Sequence, residues 1–127
     1  MDVYTINGND LCRQAEAEKN KWVFPWDIEN KYNNAAEIYA SAAIQYKQGK
    51  NYYAAATTYV QEALIYETKL DNMTSAYESY LNAAKCFKQD SRSQDDAILY
   101  FTQTAVYNKN TGRESPAETH LWKHYHH

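Results

Sequence analysis

A chain of 127 residues with a formal net charge of −3 is long enough for one buried core, too short for two, and carries no block of like charge that would hold a nucleic-acid backbone. Its 44% hydrophobic content comes largely from 13 tyrosines and many alanines, so closely approaching helices with ring hydroxyls kept near water are predicted. Cys12 and Cys86 stand too far apart for a disulfide scaffold, and no stretch of 18 apolar residues or leader-like start occurs, which points to a cytosolic chain with reduced cysteines.

In chain order, a short cap helix is predicted over about 10–19, with Asn7-Gly8-Asn9 as a breaker and Asp10 as the N-cap. Residues 20–28 read as an aromatic loop, because Pro25 cannot continue a helix and pushes Phe24 towards an extended backbone. The first repeat helix is expected from about Asn30 to Lys47, closed by Gly49 in a left-handed conformation, and the second from about Asn51 to Lys69. Asp71 or Asn72 can cap a third to about Lys88. The polar run Gln89 to Gln94 then turns the chain into a fourth that ends near Asn108. Residues 109–127 are weakly patterned, although Pro116 could open a further helix.

Four stripes recur inside these helices: Ala36/Tyr39/Ala43/Tyr46, Ala56/Tyr59/Ala63/Tyr66, Tyr77/Tyr80/Ala84/Phe87 and Ile98/Phe101/Ala105. Steps of three, four and three residues put each set on one face of a helix, and offsets of 20 or 21 residues repeat that face at regular intervals. Short turns make neighbouring helices antiparallel. The fold expected is a single all-α domain over 1–127, a right-handed α-solenoid of antiparallel helix pairs resembling a tetratricopeptide superhelix. Its unit of about 41 residues exceeds the roughly 34 of that repeat. Such a molecule presents a surface rather than enclosing a pocket.

Candidate chemistry concentrates in the loop. Trp22, Val23, Phe24 and Trp26 are costly to leave in water and too irregular for a helix stripe, which suits a membrane interface, with Lys19 and Lys21 adding attraction to anionic lipid. The competing reading is a hydrophobic plug folded back over the end of the solenoid. Lys47, Lys69 and Lys88 fall at predicted helix C-termini, where the helix dipole favours a cation with or without a partner. His120 and His124 lack companion ligands, so no metal site is assigned. Catalytic motifs are missing, so neither an enzyme nor a cofactor is expected.

With the stripes placed, four segments resemble the soluble NSF attachment proteins in order and spacing over about Leu11 to Arg113. They are Ala15-Glu16-Ala17-Glu18-Lys19 before the aromatic loop, Ala35 to Ala40, Lys47-Gln48-Gly49-Lys50-Asn51-Tyr52, and Ala83-Ala84-Lys85-Cys86-Phe87-Lys88. The resemblance implies a cytoplasmic adaptor, peripheral on membranes, that binds assembled SNARE complexes (a syntaxin-type bundle) and recruits an NSF-type AAA ATPase, here without the family's NSF-stimulating C-terminal half. It also implies a membrane role for Trp22, Val23, Phe24 and Trp26, and a SNARE-facing role for Lys47, Lys50, Lys88 and Arg113. Ala117, Glu118 and Thr119 stand where the family often has a further lysine, which weakens that contact. The alternative function is a general helical scaffold that grips a peptide or partner helix without touching lipid.

Overall fold

The structure, a computed structural model, describes residues 1–112. Among these it is all-helical: α1 (Val3–Asn20), a 3₁₀ turn (Pro25–Asp27), α2 (Ile28–Gln48), α3 (Tyr52–Thr68), α4 (Met73–Gln89) and α5 (Gln94–Thr111). Each helix packs on its sequence neighbours, giving the α-solenoid that the stripes predict. Cross-links confirm the antiparallel sense of the first pair. Asn7 reaches Gln45, Tyr39 donates to Glu16 at 2.6 Å, and Asn34 donates to Glu18 at 3.3 Å.

The core is built from small residues against rings. One cluster runs through α2 to α5 and includes Ala43, Tyr46, Ala56, Tyr59, Ala84, Phe87 and Phe101. A second joins α1, α2 and α3 through Ala15, Ala35, Ala36, Tyr39 and Ile65, and a third joins α3 and α4 through Ala63, Ala76 and Tyr80. Every complete alanine-aromatic copy is therefore buried along most of its length, while Tyr66, Tyr77, Ile98 and Ala105 at stripe ends are half-buried. Tyrosine hydroxyls emerge at the rim and find acceptors, Tyr80 donating to Glu67 at 3.0 Å and Tyr46 to Asn9 at 2.5 Å. Burial is the main reason these phenols resist ionisation, with Tyr46 pushed up to about 12.

Two local expectations are corrected. The first helix begins at Val3, not near Asp10, and its N-cap is Asp2, whose carboxylate accepts from the Thr5 amide at 2.9 Å. Gly8 is helical and buried because a Cβ there would lie 2.6 Å from Tyr46 Cε1; glycine serves close approach, not breakage. Gly49 is not left-handed either, with φ −84°. Lys50 takes that conformation at φ 60°, and its amide bonds the Lys47 carbonyl while Asn51 bonds that of Tyr46, which closes a Schellman motif one residue further on. What position 49 requires is space, since a Cβ would meet Asp2 Oδ1 at 2.8 Å and Tyr4 Cβ at 2.9 Å. Of the two candidate caps for α4, Asn72 does the work, accepting from the Ser75 amide at 3.1 Å, while Asp71 sits at φ 49°.

The Gly8 contact makes a prediction of sign. A breaker replaced by alanine would stabilise the helix by about 1 kcal/mol. Here the added methyl must displace a ring pinned by its hydroxyl bond to Asn9, so Gly8→Ala is expected to destabilise by about 1 to 2 kcal/mol, read as a lower melting temperature by circular dichroism.

Candidate functional site

The turn between α1 and α2 follows from local chain chemistry. Lys21 leaves the helix at φ −70° and ψ 148°, and Phe24 is extended at φ −65° and ψ 152°, as a residue before proline must be. Pro25 then opens a single 3₁₀ turn held by the Asp27 amide on the Phe24 carbonyl at 2.8 Å, and α2 starts directly behind it. This corner throws three rings outward. Trp22 and Phe24 meet edge-on with centroids 4.8 Å apart, and Phe24 stacks on Trp26 at 4.7 Å and 3°. Trp22 remains 77% exposed, Trp26 74% and Phe24 49%, so they pack on one another and are not a plug walled into the solenoid. Val23 is the exception, turned inward and half-buried.

Charge around the loop differs from the sequence expectation. Lys21 pairs with Glu18 at 2.7 Å and Lys19 with Glu16 at 3.4 Å, both on α1 itself. The Lys21 hydrogen bond and, for Glu16, the Tyr39 hydroxyl hold these two carboxyls below their ordinary range. Lys19 and Lys21 therefore bring no uncompensated positive charge to the rings. Lys31, whose ammonium donates to the Lys21 carbonyl at 3.1 Å, enters no ion pair among the described residues.

The basic candidates lie at the other end of the helices. Lys47 closes α2, Lys50 occupies the following turn and Lys88 lies in the last turn of α4, so the antiparallel order gathers all three at one rim. Across the 21 residues of α2 the aromatic loop is about 30 Å away. Lys47 also lies 5.8 Å from the Tyr59 ring centroid, where a cation gains from the aromatic face. The rim is mixed in sign, because Asp2, Asp90, Asp95 and Asp96 belong to it as well. Arg113 lies outside the described residues, as do His120 and His124.

A family model described as soluble NSF attachment protein, SNAP, matches residues 7–123. The chain belongs to the soluble NSF attachment protein family. A relative, the alpha-soluble NSF attachment protein of Vitis vinifera, is 28% identical over 106 residues, which cover 84% of this chain and 35% of the relative. The chain thus spans about a third of that protein's length. No solved structure matches.

None of the described helices is long and apolar enough to cross a membrane. Asp27 and Lys31, which line a cavity beside the loop, were not among the candidates read from sequence. Their only mark in the sequence is a spacing of four residues at the start of α2, which many surface pairs share.

Proposed function

We propose that this chain acts as a SNAP-like adaptor in vesicle-mediated membrane traffic: it holds a membrane through Trp22, Phe24 and Trp26, engages an assembled SNARE complex through its basic residues, and recruits an NSF-type ATPase. The observation that carries the reading is the ring cluster itself, three aromatic side chains in contact through Phe24 and exposed at a proline corner of a family member. Surface of this kind is costly in water and suits the interfacial layer of a bilayer, where indole is favoured.

Two weak contacts at opposite ends of one rigid stack would act together. A bundle standing on a membrane would meet the loop at its base and the lysine rim farther up, and linkage would raise the overall affinity without new contacts. Lys47, Lys50 and Lys88 would then steer encounter with an acidic helical bundle rather than supply most of the affinity. Replacing these three lysines by glutamine is expected to weaken capture of a purified SNARE complex about tenfold at low salt and to flatten the salt dependence. Unchanged capture with unchanged salt dependence would assign the contact elsewhere. The reading as a whole is tested by co-flotation with SNARE-bearing and bare liposomes: strongest recovery on the former, weaker on the latter, and none without vesicles.

A further inference from the structure

Between the aromatic loop and the start of α2 lies a cavity of about 240 Å³ lined by Lys21, Val23, Asp27, Asn30, Lys31 and Asn34. Its charges are not all satisfied from within. Lys21 is tied to Glu18 at 2.7 Å, but Lys31 has a backbone carbonyl at 3.1 Å and the Tyr32 ring at 4.7 Å as its partners. Asp27 occupies the N-cap position of α2 yet accepts no capping hydrogen bond. Although four residues apart on one helix start, Asp27 and Lys31 form no ion pair, and neither pairs with another opposite charge among the described residues. Lys69, from the end of α3, lies 5.5 Å from the centroid of the same Tyr32 ring.

One wall of this cavity is the inner side of the loop whose outer side carries the rings. An interfacial segment buries its apolar face about 5 to 10 Å into the boundary between headgroups and acyl chains. With the rings at that depth, a cavity lined by residues adjacent to them in the chain comes within reach of the lipid headgroups. A lone inorganic anion would satisfy Lys31 but face Asp27 and the nearby Glu18 carboxylate. A group carrying a phosphate and an amine matches Lys31 and Asp27, neither of which is held in an ion pair, and the Asn30 amide can donate to its remaining oxygens.

We propose that this cavity binds the headgroup of an ethanolamine phospholipid, with its phosphate on Lys31 and its amine on Asp27. The assignment rests on the reading of the loop as a membrane contact and adds to it a lipid preference that the rings alone do not provide.

Co-flotation with phosphatidylcholine vesicles, with and without added phosphatidylethanolamine, separates the two readings. Wild type is expected to bind the ethanolamine-containing vesicles about fivefold better, since a trimethylated amine cannot donate a hydrogen bond to Asp27. Lys31→Gln lowers binding about fivefold on both vesicles. Asp27→Asn, which keeps the side-chain shape, removes the ethanolamine preference and leaves phosphatidylcholine binding unchanged. If the preference survives in Asp27→Asn, it reflects looser lipid packing and the proposal is wrong. If loop-ring variants lose binding while both cavity variants bind as wild type, the cavity assignment fails and the loop reading stands; if wild type floats with neither vesicle, both fall. On the unmodified protein, soluble glycerophosphoethanolamine should shift the amide resonances of Asn30, Lys31 and Asn34 in NMR spectra. Equal shifts from inorganic phosphate would overturn the lipid assignment in favour of a simple anion site.

Discussion

Serine at positions 22, 24 and 26 together is expected to reduce partition onto liposomes by about 100-fold, equivalent to about 3 kcal/mol. Two indoles and a phenyl ring offer water a large apolar surface, at exposures of 77%, 74% and 49%. If half of it enters the interface, on the order of 200 Å² is transferred, about 5 kcal/mol at about 25 cal/mol per Å². Ordering of the bound protein takes back part of this gain. The folded state should be unaffected, because these rings pack on one another and not into the alanine-tyrosine cores. Circular dichroism of the variant checks that point, and a variant that floats like wild type shows that the rings do not hold the membrane.

The second large effect concerns stability and pH. Glu62 on α3 is buried, only 8% exposed, and burial, reinforced by the Glu78 carboxylate, pushes its pKa up to about 7 although the nearby Ser79 hydroxyl partly opposes the shift. The neighbouring Tyr59 and Tyr66 phenols feel the same negative charge and are raised in turn, chiefly by their own burial. For an acid whose folded-state pKa lies above its unfolded one, the ionised form is the penalised form. Below pH 4.5 the group is neutral in both states and exacts nothing. Stability then falls between about pH 4.5 and 7 and is lowest above that window, by about 3 kcal/mol from this group. Glu62→Gln keeps the size and polarity of the side chain without the charge. It is expected to unfold in urea with a midpoint close to that of wild type at pH 4.5, and to be about 2 kcal/mol more stable at pH 8. A constant difference between the two proteins across that range would mean the carboxylate is solvated after all.

The repeat was legible because packing in this fold is a property of spacing. A ring and an alanine four residues later on one helix face leave room for the next helix, and Tyr39/Ala43, Tyr59/Ala63 and Tyr80/Ala84 are all buried in that way. Gly8 and Gly49 were misread since sequence reveals a glycine's conformational freedom but not what lies opposite it. Both answer to contacts with residues about 40 positions away or more, Tyr46 for Gly8 and Asp2 with Tyr4 for Gly49. The exposed loop was legible for a complementary reason: Pro25 fixes a corner, and no stripe position is available there for Trp22, Phe24 or Trp26. Its electrostatics were not, because which of Lys21 and Lys31 forms the direct ion pair with Glu18 depends on how the chain turns at the end of α1.

The most direct test follows the loop indoles themselves. Of the three tryptophans, Trp122 can be replaced by phenylalanine so that Trp22 and Trp26 alone report, and vesicles with lipids brominated high on the acyl chain are then added. Insertion predicts a blue-shifted emission that is strongly quenched by the bromines. Emission that stays at the wavelength of a water-exposed indole, unquenched at saturating lipid, would contradict the account.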